Sequence, residues 1–154
     1  ITVHAGEVVG GETIRAAIED LHAERLGHGV RVIDDPYLIA LVKEQGVTLE
    51  MCLLSNVHTG AVANMAEHPA RRLLEAGVQI TLNTDDPSVS DSDLSNEYQM
   101  GMAESGLTYG HLRQTILNAA AAAFLPLAGK QRLIEHFEQQ LPLPVLGKMP
   151  LFAS

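Results

Sequence analysis

Polar side chains suited to metal binding or proton transfer follow each of four short apolar segments in this sequence. In chain order they are His4 and Glu7, His28, Ser55 and Asn56, and Asp85 and Asp86. Histidine and carboxylate side chains bind metals and transfer protons. Because the carboxyl ends of parallel strands lie on one face of an α/β fold, these groups are expected to converge there. The pattern predicts a metal or acid–base site.

Each of these residues also has an ordinary structural explanation. A single histidine after a strand is more often a hydrogen-bonded structural residue than a metal ligand. The run Asp85-Asp86-Pro87 is equally typical of a turn and a helix cap, since Asp and Pro both favour turns. Gly27 and Gly29 are explained by a tight loop. The structural explanations are less convincing for the four segments taken together, because four successive strands would each have to end in such residues by chance.

The four apolar segments that precede these residues are short, rich in Leu and β-branched residues, and not strictly alternating. They span residues 1–3, 25–27, 47–51 and 78–82. Strands that are buried on both faces of a sheet have this composition. Their starts at residues 1, 25, 47 and 78 leave room for a crossover helix between successive strands. The spacing predicts an α/β fold with parallel strands.

Helical periodicity follows each predicted strand. The first helix carries four apolar residues on one face, namely Ile14, Ala17, Ile18 and Leu21. The second carries three, namely Leu38, Leu41 and Val42. Asp35 is the expected N-cap of this second helix, and Pro36 suits its first turn. Later helices are predicted within 69–76, 94–104, 108–124, where Thr108 is the expected cap, and 130–140.

The composition narrows the classes of function. The chain has 154 residues, of which 46% are hydrophobic and 19% charged, as is typical of a globular domain. Its formal net charge of -9 argues against a nucleic-acid partner. We find no signal peptide and no apolar run near the ~20 residues of a membrane helix, so no membrane partner is expected. The single cysteine, Cys52, excludes an intrachain disulfide and is consistent with a cytoplasmic location.

The two ends of the sequence indicate an excised or cleaved piece of a longer protein. The chain begins directly in a predicted strand, without a Met. One domain is expected over residues 1–140. Residues 141–154 are rich in Pro and apolar residues and lack a helical period. They are predicted to form an irregular tail, either docked on the domain or foreign to it.

Four motifs in a fixed order give a specific family resemblance. Residues 4–7 read His-Ala-Gly-Glu, 25–29 Arg-Leu-Gly-His-Gly, 55–56 Ser-Asn, and 82–87 Leu-Asn-Thr-Asp-Asp-Pro. The segment Glu-Ser-Gly-Leu-Thr at 104–108 adds a further match. The chain resembles the C-terminal half of the adenosine deaminase family, the metal-dependent purine-nucleoside deaminases of purine metabolism. The resemblance implies a TIM-type (β/α)8 barrel in which these would be strands five to eight, with flanking and terminal helices.

The resemblance also implies a role for the residues at the strand ends. His4 and Asp85 resemble zinc ligands of the family. Glu7 resembles the acid that protonates purine N1, and His28 resembles the base and electrostatic partner of the zinc-bound water. The implied reaction is the hydrolytic deamination of adenosine or deoxyadenosine to inosine and ammonia by a zinc-bound hydroxide.

Two matched positions are implied to bind the substrate. Asp86 resembles the residue that binds purine N7, and Gly6 is a second substrate-binding position. Which amino-purine is bound stays open at this point. A relative that acts on adenine, AMP or another amino-purine is the alternative to an adenosine deaminase.

The chain departs from the family pattern at the metal site. The family's other two zinc ligands form a His-x-His pair on its first strand, and none of the seven histidines here forms such a pair. The family's glycine-bearing substrate loop is also absent, and Leu53-Leu54 stands where a Pro usually follows Cys. A catalytic zinc site needs about three protein ligands. The chain alone is therefore expected to be inactive and to bind zinc weakly or not at all.

The remaining histidines are expected to lie outside the site. Four of them are predicted to occupy the surface of helical segments, namely His22, His68, His111 and His136. His58 either lines the substrate mouth or, as the preferred interpretation, simply lies in a loop.

Three partners are expected: a purine nucleoside, the missing N-terminal half, and further copies of the chain. A half barrel would expose two strand edges, here without a protecting Lys or Pro, and one open inner face that is expected to be apolar. A self-associating half-barrel fragment without enzymatic activity is therefore the second functional hypothesis.

Overall fold

The computed structural model describes residues 1–143, and these form a parallel sheet covered by helices. The strands are β1 (Thr2–Ala5), β2 (Arg25–His28), β3 (Thr48–Met51) and β4 (Ile80–Leu82). They lie in the order β1-β2-β3-β4, and each neighbouring pair is parallel. The predicted α/β fold with consecutive parallel strands is confirmed.

Helices connect the strands and follow the last one. They are α1 (Gly11–Glu19), α2 (Pro36–Glu44), α3 (Leu53–His58), α4 (Ala70–Glu75), α5 (Pro87–Ser90), α6 (Leu94–Ala103), α7 (Tyr109–Ala122) and α8 (Leu127–Gln140). Two 3-10 turns occupy Val30–Asp34 and Met65–Glu67. The short helices α3 and α5 were not predicted. Within the described part of the chain, no helix combines the length and the hydropathy needed to cross a bilayer.

Two predicted helix starts are stabilised by the expected side chains. The Asp35 carboxylate accepts a hydrogen bond from the Tyr37 amide at 2.8 Å, and Pro36 occupies the first turn of α2. At α7, the Thr108 hydroxyl accepts from the His111 amide while His111 Nδ1 accepts from the Thr108 amide, both at 3.2 Å. Each bond satisfies an amide that has no partner within the helix.

One face of the sheet packs against the helices and forms the core. The register aligns Val3, Leu26, Leu49 and Ile80 in a single row across the four strands. Leu26, Leu49 and Ile80 are fully buried. The helices contribute further buried apolar residues, including Ile14, Ala17, Leu38, Val42 and Leu73. Burial of such side chains stabilises the fold by about 1.5–3 kcal/mol each.

The prediction that Leu21 lies on the buried face of the first helix is wrong. Helix α1 ends at Glu19, and Leu21 is 53% exposed. The chain turns at His22, whose backbone adopts the left-handed conformation with φ of 54°. Ala23 is buried after this turn. Leu21 fits the helical spacing as the residue seven positions after Ile14, but the helix has already ended at Glu19. The apolar pattern contains no signal for that end.

The opposite sheet face is polar, which corrects the expectation of an apolar inner face. Because side chains alternate along a strand, this face carries Arg25, Thr48, Glu50 and Thr81. Arg25 Nη1 and Glu50 Oε1 form an ion pair at 3.2 Å. The ring of Phe124 lies 3.8 Å from the Arg25 guanidinium. Two copies of the chain therefore cannot associate by burying an apolar surface on this face.

The two sheet edges differ, which corrects the expectation that both are unprotected. Helix α7 packs against β4, and Asn118 Nδ2 donates to the Ile80 carbonyl oxygen at 2.9 Å. This bond satisfies a strand carbonyl, and helices commonly protect sheet edges in this way. At β1, the carbonyls of Ile1 and Ala5 accept from Arg25 and Gly29. By alternation, the peptide groups of Thr2 and His4 point to the free edge.

The predicted domain of residues 1–140 ends with α8 at Gln140. Of the predicted tail over 141–154, residues 144–154 lie outside the described residues. The carbonyl oxygen of Leu141 accepts from Arg113 Nε at 2.6 Å, and that of Pro142 accepts from the Tyr109 hydroxyl at 3.4 Å. The first residues of the tail thus contact α7.

Candidate active site

The carboxyl ends of the strands bring the predicted polar residues together. Glu7 follows β1, His28 ends β2, and Asp85 follows β4. His28 Nε2 lies 3.7 Å from Glu7 Oε2 and 3.8 Å from Asp85 Oδ2. The Ser55 hydroxyl at the start of α3 donates to Asp85 Oδ2 at 2.6 Å. The predicted convergence of His, Glu and Asp is present in the structure.

His4 lies at the open side of this cluster. Its Nε2 is 3.1 Å from Glu7 Oε2, and its ring centroid is 4.5 Å from that of His28. The His4 side chain is 68% exposed, whereas that of His28 is 4% exposed. His4 is thus positioned to meet a ligand from solvent, and His28 lies beneath it.

The two oxygens of Glu7 have different environments. Oε1 accepts from the Thr59 hydroxyl at 2.9 Å and from Asn56 Nδ2 at 3.3 Å. Oε2 faces His4 and the more distant His28. A carboxylate oxygen has two lone pairs for hydrogen bonding. Because Oε1 is already occupied by two donors, a proton carried by this carboxyl would lie on Oε2.

Burial lowers the pKa of His28. Desolvation is the largest cause, the nearby Glu7 carboxylate opposes it by favouring the cation, and His4 adds a smaller lowering. The imidazole is therefore biased towards the neutral form. A neutral imidazole can accept a proton, as a base must.

Two site residues have strained backbones. His28 and Asp85 adopt the left-handed conformation with φ of 67° and 59°. This conformation costs a side-chain-bearing residue about 1–3 kcal/mol and is concentrated at functional sites. The left-handed backbone redirects the side chains of His28 and Asp85 at the ends of their strands. Such redirection is expected where the orientation of these two groups matters for the site.

Asp86 and Gly6 have structural roles of their own. Asp86 is the N-cap of α5, where its Oδ1 accepts from the Ser88 and Val89 amides, and hydrogen bonds, chiefly from the Ser88 hydroxyl, lower its pKa. Gly6 has φ of 66°, and a Cβ there would lie 2.5 Å from Ile14. Its amide donates to Thr13, and its carbonyl accepts from Arg31. The turn and cap explanation thus applies to Asp86, and the substrate-binding roles of both residues remain predictions.

The histidine and carboxylate side chains of the site are of the types that bind zinc. The described residues, however, bring only small groups of them close enough together to share one ion. Two groups of three have ligand atoms within 4.8 Å of one another: His4, Glu7 and His28, and His28, Cys52 and Asp85. Burial raises the pKa of Cys52, so its thiol stays protonated and is a poor ligand. Neither group contains both His4 and Asp85. These two residues fit zinc as parts of a site that needs a further donor.

Sequence analysis missed three residues that support the site. His68, predicted on a helical surface, is a buried residue between α4 and the preceding turn. Thr59 donates to Glu7. Glu97 on α6 is fully buried and accepts from the amides of Leu53 and Leu54. All three act through partners distant in sequence, so local periodicity contains no signal for them.

The other histidines remain outside the cluster. His111 and His136 are helical as predicted, but His22 lies in the turn after α1. His111 is half-buried at its capping position, and His22 and His136 are exposed. His58 is exposed at the last position of α3 rather than in a loop.

Solved structures of similar shape come from deaminases and a related hydrolase. An adenine deaminase from Arthrobacter aurescens matches with a TM-score of 0.87 at 26% identity, over 92% of this chain and 43% of that chain. A Zn-bound amidohydrolase from Burkhoderia ambifaria matches with a TM-score of 0.83 at 26% identity, over 91% and 40%. An N6-methyl-AMP deaminase from Arabidopsis thaliana matches with a TM-score of 0.78 at 30% identity, over 92% and 41%.

Curated relatives and a family model match the sequence itself. Adenosine deaminase from Klebsiella pneumoniae (strain 342) is 45% identical over 135 residues, which is 88% of this chain and 40% of that protein. Adenosine deaminase from Serratia proteamaculans is 44% identical over 133 residues, or 86% and 40%. The chain thus spans about two fifths of these relatives. The family model described as "Adenosine deaminase" matches residues 1–140, and the chain therefore belongs to the adenosine deaminase family.

Proposed function

We propose that this chain is the C-terminal half of a (β/α)8-barrel deaminase that converts adenosine or deoxyadenosine to inosine and ammonia. The observation that carries the proposal is the convergence of Glu7, His28 and Asp85 at the carboxyl ends of three parallel strands. Four consecutive parallel strands are also what half of such a barrel contains. Membership of the adenosine deaminase family supports the reaction class.

Glu7 is proposed as the acid that protonates purine N1. Its Oε1 is held by Thr59 and Asn56, so Oε2 is the oxygen available to carry and deliver the proton. Protonation of N1 draws charge out of the ring and makes C6 more electrophilic. Thr59 and Asn56 fix the plane of the carboxyl, which directs Oε2 towards the open side of the site.

His28 is proposed to act on the attacking water, either as the base that accepts its proton or as an electrostatic partner that donates a hydrogen bond to its oxygen. Its burial biases it towards the neutral form, in which one ring nitrogen donates and the other accepts. His4 and Asp85 are proposed to hold zinc, together with ligands from outside the described residues. Zinc lowers the pKa of a bound water towards ~7, which supplies a nucleophile at neutral pH. Asp86 and Gly6 are proposed to contact the purine.

The substrate class is wider than adenosine among the matched structures. These structures include an adenine deaminase and an N6-methyl-AMP deaminase. Adenosine is proposed here because the two curated relatives at 45% and 44% identity are both adenosine deaminases. A deaminase for adenine, AMP or another amino-purine is the alternative within the same chemistry.

The proposed reaction predicts metal-dependent conversion of adenosine to inosine. The protein that contains this chain with a complete set of metal ligands is expected to lose the adenosine absorbance band with time. A chelator is expected to stop the reaction, and added zinc to restore it. Deoxyadenosine, adenine and AMP are assayed in parallel to rank the substrates. Absence of turnover for all four with metal-replete protein would refute the proposed function.

The isolated chain is predicted to be inactive and to self-associate through β1. The peptide groups of Thr2 and His4 lie at the free edge of β1, whereas α7 protects β4. Sedimentation at micromolar concentration is expected to show dimers or larger species, with less than stoichiometric zinc in the same sample. Thr2→Pro removes an edge donor and is expected to favour the monomer. A wild-type monomer with tightly bound stoichiometric zinc would contradict this prediction.

A further inference from the structure

A buried histidine outside the proposed catalytic set lies directly behind it. His68 is 3% exposed, and its Nε2 lies 3.2 Å from Asn56 Oδ1. Burial lowers the pKa of His68 to about 4, so the ring is neutral at physiological pH. A neutral imidazole has one nitrogen that donates and one that accepts. The hydrogen bonds of this ring therefore define which nitrogen carries the proton.

The backbone fixes the tautomer of His68. The amide of Ala70 can only donate, and it lies 3.2 Å from His68 Nδ1. Nδ1 must therefore accept, which places the proton on Nε2. His68 Nε2 then donates to Asn56 Oδ1. This bond sets the orientation of the Asn56 amide, since only the carbonyl oxygen of that amide can accept from His68.

The oriented amide in turn holds two residues of the site. Asn56 is fully buried, and its Nδ2 lies 3.0 Å from His28 Nδ1 and 3.3 Å from Glu7 Oε1. An amide NH2 group has two donors, and both are used here. His28 Nδ1 must accept, so its single proton lies on Nε2. That nitrogen is the one facing Glu7 Oε2 and Asp85 Oδ2.

We propose that His68 and Asn56 are positioning residues, joined in a relay from the Ala70 amide to His28 and Glu7. The relay holds the Glu7 carboxyl and keeps the proton of His28 on Nε2, the nitrogen that faces the reacting groups. In this form Nε2 donates a hydrogen bond and cannot accept a proton, so the relay assigns His28 the role of electrostatic partner of the attacking water rather than that of the base. The catalytic purpose of the relay rests on the proposed function. The assignment of donors and acceptors along the relay does not, because it follows from the hydrogen bonds alone. A role in packing alone would not determine the tautomer of His28.

The tautomer of His28 is the direct test. The 154-residue chain is labelled with 15N-histidine, kept free of metal with a chelator, and examined by NMR at neutral pH. The imidazole signals are assigned through single-histidine variants. The proposal requires Nε2–H tautomers for both His28 and His68. An Nδ1–H tautomer of His28 in the wild-type chain would overturn the proposal without any variant being needed.

Variants test the link between His68 and His28. His68→Leu removes the donor to Asn56, so the amide is free to flip and His28 is expected to populate both tautomers. His68→Gln keeps a donor at a similar reach and is expected to restore the Nε2–H form. His136→Leu, at an exposed position of α8, is the matched control and should leave His28 unchanged. A wild-type tautomer of His28 in folded His68→Leu would disprove the relay.

A second variant covers the case in which His68→Leu does not fold. Asn56→Asp keeps the acceptor for His68 but replaces the NH2 group with an oxygen. His28 is then expected to move its proton to Nδ1. Failure of that shift would also overturn the proposal. Where adenosine is turned over, His68→Leu is expected to lower kcat by about 10–100-fold with little change in KM.

The outcomes separate the relay from the proposed function. The NMR measurement needs no turnover and no metal. If the tautomers are as required but no amino-purine is deaminated, the relay stands and the proposed function fails. If adenosine is deaminated but His28 carries its proton on Nδ1, the function stands and the relay fails.

Discussion

Glu7→Gln is expected to lower the turnover of adenosine by at least about 100-fold while the protein stays folded and keeps its metal. Glu7 is 8% exposed, and its carboxyl is held through Oε1 by Thr59 and Asn56. A glutamine can still accept these two bonds at its amide oxygen. Its NH2 group at the Oε2 position can donate a hydrogen bond but cannot transfer a proton to purine N1.

Asp85→Ala is the matched comparison, because Asp85 is proposed as a metal ligand and Glu7 is not. The alanine variant is expected to lose metal together with activity. Ser55 would also lose its carboxylate partner at 2.6 Å. Both variants are assayed with adenosine and analysed for zinc in the same preparations. Loss of zinc from Glu7→Gln with retention in Asp85→Ala would mean that the two roles are assigned the wrong way round.

The strand ends could be predicted because the signals for them are local. Each strand is a short run rich in Leu and β-branched residues, and a polar site residue such as His28 or Asp85 follows it within a few positions. Parallel pairing then brings the polar residues to one face, whatever the details of the loops. The caps at Asp35 and Thr108 are local for the same reason, since each bonds to an amide two or three residues away.

The supporting residues could not be predicted because their partners are distant in the sequence. His68 bonds to Asn56 on α3, 12 residues earlier, and Thr59 meets Glu7 across 52 residues. The polar sheet face was missed for a related reason. A run such as residues 47–51 looks apolar overall, yet Glu50 in it pairs with Arg25 on the next strand. Spacing along one strand does not show which residues of its neighbour lie opposite.

Helix α3 depends on a buried carboxylate that the sequence pattern also missed. Glu97 on α6 is fully buried, with its Oε2 accepting from the Leu53 amide at 2.8 Å and its Oε1 from the Leu54 amide at 3.2 Å. These are first-turn amides of α3, which have no partner within the helix. The N-cap residue Cys52 makes no side-chain hydrogen bond to them. Glu97 therefore caps α3 from another helix.

Glu97→Leu is expected to lower the free energy of unfolding by about 2–5 kcal/mol, because it leaves two buried amides without acceptors. Asp93→Ala is the matched control. It removes the exposed N-cap carboxylate of α6, which accepts a hydrogen bond from the Asn96 amide, and it should cost about 1 kcal/mol. Urea unfolding followed by circular dichroism measures both. An effect of Glu97→Leu no larger than that of Asp93→Ala would show that the cap contributes little.

The effect of Glu97→Leu should also depend on pH. Desolvation is the main cause that raises the pKa of Glu97 in the folded chain above its ordinary value of 4.5, although the two amides oppose it. In the window just above 4.5, the folded state therefore binds more protons than the unfolded state. The contribution of Glu97 to stability falls as pH rises through this window. We therefore expect the difference in the free energy of unfolding between the wild-type chain and Glu97→Leu to be greatest at the acidic end of this window. If that difference instead grew with rising pH, the Glu97 carboxylate would be better solvated than its burial implies.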